Sequence, residues 1–397
     1  MRQLPLLLWK DGYRATARLR ERAGGSDVFS ARLLNHPAWV VRGRPQVERF
    51  YDEAFIRREG ALPSPLANLL FGKGAVHGKD GAEHRHRKGL FLDVLDDAAV
   101  LAVTDRAEKC LRTAWDARHS FEPFDPFDVL VDAYGAAALD WAGIALEDDD
   151  VLRVSRDLAA IVDGFGAQGI AGVRAALARR RCNAWATGLI RTARAEATVG
   201  SVLGRVAHHR GSDGELLPAE VAGVELLNVL RPTVAVAFLG AFAALYLERS
   251  REWRVRLERD SEREAIAFAQ EVRRHAPFVP ALLGRAARDA DWGGCPVRKD
   301  DLVLLDVWAV NHDERRWHHA SAFDPDRFLT DDPDEFDMVP QGGGDRGLTH
   351  RCPGEPLTIA LLAQTARFLA SNAWSAFDGT YDETRIPARP AIRLVKS

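Results

Sequence analysis

A single cysteine, Cys352, closes a loop with almost no side-chain bulk and stands just ahead of a helix. The loop reads Gly342-Gly343-Gly344-Asp345-Arg346-Gly347-Leu348-Thr349-His350-Arg351. Behind the cysteine come Pro353, Gly354-Glu355 and an apolar run (Leu357, Ile359, Ala360, Leu361, Leu362) at helical spacing. The sulfur is therefore held at a helix N-terminus, where unpaired N–H groups and the helix dipole favour a thiolate.

Two readings of this stretch are open from the residues alone. The cysteine is a structural residue in a Gly-rich turn, or its thiolate is the lone axial ligand of a haem iron, which a loop this bare can approach closely. Zinc or a disulfide would want further cysteines nearby. The other three (Cys110, Cys182, Cys295) lie at wide, irregular spacing and read as free thiols of a reducing compartment. A net charge of −3 argues against a nucleic-acid partner. The run from Leu4 to Trp9 is too short to span a bilayer and meets Lys10-Asp11 at once, so no membrane anchor is expected and the location reads as cytoplasmic.

Across its 397 residues the chain shows no repeat or low-complexity linker. Val28–Leu34 and Trp39–Arg42 read as a hairpin turning at Asn35-His36-Pro37, and Pro45 opens a helix reaching about Phe55. Residues 62–81 read as loop. Helical periodicity follows over 83–94, 97–118, 126–143, 149–164, 172–197, 219–249, 261–276 and 354–371, with short strands within 284–307. The segment 219–249 is the longest, and Pro232 in its middle predicts a kink. Beside it, Arg231 stands among Val229, Leu230, Val234, Val236 and Phe238. An arginine in such surroundings is costly unless it meets an anion, pairs with a protein carboxylate, or snorkels to the surface.

Glu271 and Arg274 fall three apart on one helix face and can pair. The segment Phe323-Asp324-Pro325-Asp326-Arg327-Phe328 lies between them and the cysteine loop. On these residues and on His350-Arg351-Cys352-Pro353-Gly354-Glu355, nearly the whole chain resembles the cytochrome P-450 superfamily. Within that superfamily it resembles the bacterial fatty-acid peroxygenases, which carry a similar Gly-Gly-Gly-Asp run. The resemblance implies a mainly α fold with a minor β portion, one large domain over 1–397, and haem b between the long helix and the cysteine loop. It makes Cys352 the axial ligand, and Glu271, Arg274 and Arg327 a scaffold behind the ligand loop.

Where oxygen-activating members carry an acid beside an alcohol, this chain has Arg231-Pro232. The resemblance makes Arg231 the anchor of a fatty-acid carboxylate, which itself serves as acid and base toward hydrogen peroxide, while Pro232 shapes the helix. It places Phe71 against the acyl chain and His77 near the first carbons, where histidine is associated with decarboxylation to a terminal alkene. On composition alone His77 would be a solvent-exposed loop residue. His84, Lys88 and His350 would meet haem propionates, against the plainer reading of a solvated basic face. Phe278, Pro280 and Phe165 would line the substrate channel, although Phe165 reads equally as core. The chain departs from the branch in having Arg346 and Thr349 where an imidazole and a glycine are usual, and Thr349 could stiffen the loop. The implied activity is peroxide-driven oxidation of medium- or long-chain fatty acids at Cα or Cβ without a redox partner protein. The alternatives are a dioxygen-dependent hydroxylase fed by separate redox partners, and a non-catalytic haem sensor or carrier.

Overall fold

The computed structural model describes residues 10–33, 36–166, 169–259 and 261–396. The Leu4 to Trp9 run and Asn35 of the expected turn lie outside them. A short helix, α1 (Ala15–Arg22), precedes a hairpin of β1 (Val28–Leu33) and β2 (His36–Val41). Leu33 pairs with His36, so His36 and Pro37 belong to β2 and not to the turn. Pro37 is tolerated because β2 pairs with its other neighbour only from Ala38 onward, and the missing N–H breaks no ladder bond there.

Next come α2 (Arg44–Tyr51) and the two-residue strand β3 (Ile56–Arg57). The expected helix to Phe55 stops at Tyr51 because Asp52 takes extended backbone and its carboxylate accepts the Ala54 N–H (2.8 Å), an Asx turn. The expected loop over 62–81 contains α3 (Ser64–Leu70), with a proline in its first turn, and a single tight helical turn at Val76–Gly78. Seven residues are too few for a periodic signal.

The helices α4 (Gly81–Val94), α5 (Asp97–Asp116), α6 (Pro126–Ala142), α7 (Asp148–Asp163) and α8 (Gly169–Ala195) follow the expected pattern. Asp96 and Asp125 cap two of them by accepting the N–H groups of Ala99 (2.8 Å) and Phe127 (2.9 Å). The short α9 (Val202–Ala207) escaped the periodicity. The 31-residue α10 (Ala219–Arg249) continues as helix through Pro232. By length and composition α10 could cross a membrane, yet 94% of its most apolar window is buried. It packs against α6 and α8 and against the last helix of the chain. Phe238 and Phe242 on α10 are almost wholly buried, each stabilising the core by about 1.5–3 kcal/mol relative to exposure.

The chain continues through α11 (Arg251–Glu258), α12 (Glu262–His275), β4 (Leu282–Ala286), β5 (Ala290–Trp292), β6 (Cys295–Val297) and β7 (Leu302–Leu305). It ends with α13 (Val307–Asn311), α14 (Arg327–Thr330), α15 (Glu355–Ser371), β8 (Trp374–Tyr381) and β9 (Pro390–Lys396). The main sheet runs β1-β2-β7-β4-β3, and β5-β6 and β8-β9 form separate ribbons. The β8–β9 ribbon carried no sequence signal that was read. Helices thus dominate, and the strands flank them.

One buried cluster at the end of α12 predicts acid sensitivity. His275 Nε2 lies 3.0 Å from the Ser321 carbonyl, which can only accept, so Nδ1 accepts the Tyr246 hydroxyl (2.8 Å). Burial holds this imidazole down to about 4 from its ordinary 6.5. Above pH 6.5 it is neutral folded or unfolded. Below, the unfolded chain gains the proton first, so stability falls as pH drops from 6.5 toward 4, by about 3 kcal/mol when complete. His275→Asn should flatten the fall of Tm across that window, and an unchanged slope would assign the acid sensitivity elsewhere.

Candidate active site

The cysteine loop is folded tightly on itself and braced from two helices. Gly342 has φ +96°, and a Cβ there would stand 3.0 Å from the Arg351 Cα and 3.0 Å from the Tyr51 hydroxyl. Only glycine allows that approach. Gln341 accepts the Cys352 N–H at its carbonyl (2.9 Å), while its side chain joins Arg273 of α12 (2.9 Å) to Thr358 of α15 (2.9 Å). Arg273 also pairs with buried Glu355, which Arg351 clamps from the other side (2.6 Å). Burial pushes the Glu355 carboxyl up, but the two guanidinium groups win and hold it below the usual range. Thr349 donates its hydroxyl to the Gly343 carbonyl (2.7 Å), tying the two ends of the loop, and Arg346 donates to the Pro353 carbonyl (3.4 Å).

Cys352 is unpaired. Burial pushes its thiol up, opposed by the Gly354 N–H aimed at the sulfur and by the charges of Lys88 and Arg273. These groups favour the thiolate, and a metal cation on sulfur would complete the deprotonation. If this sulfur holds a haem iron, as the resemblance implies, replacing Cys352 by serine should remove the thiolate signature from the carbon-monoxide spectrum of the reduced protein. An unchanged spectrum would refute Cys352 as ligand.

Behind the loop, Arg274 forks onto Glu271 (2.7 and 2.7 Å) with both side chains fully buried. It also donates to the carbonyls of Asn311, Ala320 and Ala322 (2.8, 2.9 and 3.0 Å). Glu271 accepts the Asp324 N–H (2.8 Å), and Arg327 Nε lies 3.3 Å from it. The three residues selected from the sequence are brought together.

On the opposite side, Glu225, Asn228 and Arg231 form a line at three-residue spacing along α10. Asn228 donates to Glu225 (3.0 Å) and to the Phe71 carbonyl (3.0 Å), and its own carbonyl oxygen accepts from Arg231 (3.3 Å). Glu225, wholly buried, takes the Val76 N–H (2.9 Å) and pairs with Arg87 of α4 (3.0 Å). Burial still raises its carboxyl above the usual range. The segment from Phe71 to Val76 is thus held at both ends by α10. Gly72, at φ +92°, lets it lie against Val224, where a Cβ would come within 2.6 Å of Cγ1.

The Phe71 and His77 rings stack at 4.0 Å, and the Arg231 guanidinium lies 5.9 Å above Phe71. Arg231 is 9% exposed, and among the described residues no carboxylate pairs with it. Its Nε and the His77 Nδ1 have no hydrogen-bond partner. Burial, and the charge of Arg179 on α8, pull Arg231 down to about 9, which leaves it cationic at neutral pH. Burial first, and the Arg231 charge second, hold His77 well below its ordinary range, so the imidazole is neutral.

The basic helix α4 divides between two tasks. Lys88 turns to the cysteine loop and donates to the carbonyls of Thr349 and Arg351, and burial lowers it to about 8. His84 stacks on His350 (3.8 Å), and His84 Nδ1 and His350 Nε2 are buried without hydrogen-bond partners. Burial holds both imidazoles below their ordinary range. Phe278 packs toward Phe238 of α10 (5.8 Å), and the Pro280 carbonyl accepts the Trp308 N–H (3.2 Å). Phe165 sits half-buried at the turn after α7 and has none of the contacts that join Phe71, His77 and Arg231.

Sequence reasoning missed Glu225, Asn228, Arg87, Arg179 and Arg273. For the first two a signal existed: with Arg231 they are the polar line of an otherwise apolar helix.

The cytochrome P-450 family model matches residues 266–365, from α12 to α15. A point mutant of cytochrome P450SP alpha (CYP152B1) superposes with a TM-score of 0.95 at 34% identity, covering 100% of both chains. The chain belongs to the cytochrome P-450 family. Cytochrome P450EX alpha (CYP152N1), solved with myristic acid, matches with a TM-score of 0.91 at 30% identity over 99% of this chain and 96% of its own. A variant of cytochrome P-450 OleT, solved with arachidonic acid, gives 0.93 at 28% identity over 100% and 97%. These full-length matches fall in the fatty-acid peroxygenase branch. Among curated sequences, cytochrome P-450 76C4 of Arabidopsis thaliana is 35% identical over 123 residues, 30% of this chain and 23% of the relative. The chain thus spans less than a quarter of the curated relatives it matches.

Membership implies a haem-thiolate cofactor. The residues fit one. Among the described residues there is no cluster of three or more His, Cys, Asp or Glu for a bare metal ion. An unpaired sulfur on a glycine-rich loop, and the ring nitrogens of His84 and His350 without a hydrogen bond (His350 Nε2 with the Asp80 carboxylate 3.7 Å away), fit a haem iron and its propionates.

Proposed function

We propose that this cytochrome P-450 uses hydrogen peroxide to oxidise medium- or long-chain fatty acids at Cα or Cβ, with Arg231 binding the carboxylate. The observation that carries the reading is a buried arginine on α10 with no carboxylate partner and an unsatisfied Nε, set over Phe71 and beside neutral His77. A buried cation left this way is stabilised by an arriving anion. Relatives of this structure have been solved with myristic, arachidonic and, for P450SP alpha, (R)-ibuprofen, all carboxylic acids.

Cys352 would hold the haem iron, with His84 and His350 at the propionates and Lys88 clamping the loop between them. When bound, haem supplies the oxidising chemistry that turns peroxide and substrate into water and product. The protein's own part is positional. Arg231 takes the carboxylate by a charge-assisted fork, and the head group so held fixes which carbons come nearest the iron. The carboxylate receives a proton from one peroxide oxygen and returns it to the leaving one, a task for which α10 offers no acid beside Arg231-Pro232. Phe71, Phe278 and the Pro280 segment would border the acyl chain. Neutral His77, facing the first carbons, would bias the outcome between hydroxy acid and terminal alkene. Asn228 and Glu225 would hold Arg231 and the His77 loop in register.

The test is product analysis of the purified haem-loaded protein with hydrogen peroxide and a panel of saturated fatty acids, without reductase. Hydroxy acids or shortened alkenes are expected. Intact haem protein that yields product only with an electron donor and dioxygen would replace this reading with a dioxygen-dependent hydroxylase. Haem bleaching without product under either condition would leave the sensor or carrier.

A further inference from the structure

Arg179 of α8 is 5% exposed and, among the described residues, pairs with no carboxylate. Its Nε donates to the Leu69 carbonyl (2.8 Å), one Nη to the Leu70 carbonyl and the other to Asn183 Oδ1 (3.5 Å). The first two acceptors are the final carbonyls of α3, unpaired by the helix itself. Their partial charge offsets only part of a full buried cation.

What Arg179 caps makes the placement informative. The residue after Leu70 is Phe71, the C-cap of α3, whose ring stacks on His77 and lies under Arg231 and whose carbonyl is held by Asn228. The closest acid in the network, Glu225, is committed to Arg87, the Val76 N–H and Asn228, and reaches Arg231 only through Asn228. One guanidinium therefore lies over the Phe71 ring and a second holds the carbonyls of the two residues before it, and among the described residues neither pairs with a carboxylate. The Arg179 charge is among the causes that lower Arg231 and His77. Two like charges set this near one another are stabilised by an anion bound between them.

We propose that Arg179 is a specificity-determining positioning residue: it fixes the Phe71–His77 face by capping α3 and supplies a second unneutralised cation beside Arg231, so that the site takes a carboxylate in preference to an uncharged head group of the same shape. The inference rests on the carboxylate reading of Arg231 given above. It assigns Arg179 no contact with the substrate.

The experiment measures, by calorimetry on haem-loaded protein, the dissociation constants of myristate and of myristamide, its uncharged isostere. Wild type should favour myristate. In Arg179→Gln the ratio of the two constants should shrink roughly tenfold, which is the loss of about 1.4 kcal/mol of charge preference. Arg179→Lys, which keeps the charge and loses the planar fork, should restore most of it. A residue that acted only as packing would move both constants together and leave the ratio alone, so an unchanged ratio in Arg179→Gln overturns the proposal. Should that variant not fold, Arg231→Ala decides: with Arg179 still present, a residual preference for myristate supports the second cation, and equal binding of both probes overturns it. Equal binding by wild type would overturn the carboxylate reading itself, and this inference with it.

Discussion

Arg231→Ala is expected to abolish the proposed peroxide-driven fatty-acid oxidation while leaving haem content and fold intact. The asymmetry follows from what the side chain touches. Among the described residues its side chain makes one hydrogen bond, a 3.3 Å contact to Asn228, and no carboxylate there loses a partner when it goes. Removing it also ends the repulsion with Arg179, so thermal stability should hold or rise. The proposed substrate carboxylate, by contrast, would lose a charge-assisted fork in a desolvated site. The loss of about 3 kcal/mol or more expected for such pairs weakens binding at least roughly a hundredfold. In the proposed mechanism the acid that shuttles the proton would be lost with it. Spectral titration with myristate and product yield per haem read both effects, and retained activity would sink the carboxylate anchor.

Arg274→Met is expected to prevent accumulation of haem-loaded protein. Arg274 is bound to Glu271 by two bonds and to three backbone carbonyls, with no exposed surface on either side chain of the pair. Methionine fills much of the space but leaves Glu271, whose carboxyl burial already raises, without its bidentate partner and with only Arg327 and the Asp324 N–H to offset its charge. Breaking such a pair costs about 3–5 kcal/mol, and each orphaned carbonyl about 1–3 more. That approaches the whole stability of an ordinary fold, about 5–15 kcal/mol. Lysine should not rescue it, because three donors on one nitrogen cannot serve a carboxylate fork and three carbonyls. Wild-type yield and Tm in Arg274→Met would show that this cluster does not hold up the cysteine loop.

Two kinds of feature were legible before the structure. Long amphipathic or apolar helices announce themselves by period, and so α4 to α8, α10, α12 and α15 were expected within a few residues. Residues embedded in dense local motifs, such as Cys352 beside its glycines or Glu271 three before Arg274, are equally readable. What escaped was either too short for a period (α3, α9, β3) or defined by partners distant in sequence. Arg179 and Leu69 are 110 residues apart, Arg273 and Glu355 82. Nothing local marks an arginine as the cap of another helix. Lys88 illustrates the same limit. Its helix face was identified, but its bonds to the Thr349 and Arg351 carbonyls depend on where the loop 261 residues on returns.

Gly72 and Val224 have a consequence for how such a protein can change over time. The loop that carries Phe71 and His77 rests its bare Gly72 backbone on the Val224 methyl groups, with no room for one more carbon. Any side chain at 72 must lift the loop from α10 unless residue 224 first becomes smaller. A smaller residue at 224, tolerated while glycine is present, removes the clash and leaves only the backbone strain of a side chain at φ +92°. The two positions are therefore unequal partners in descent, with 224 free to drift first and 72 able only to follow.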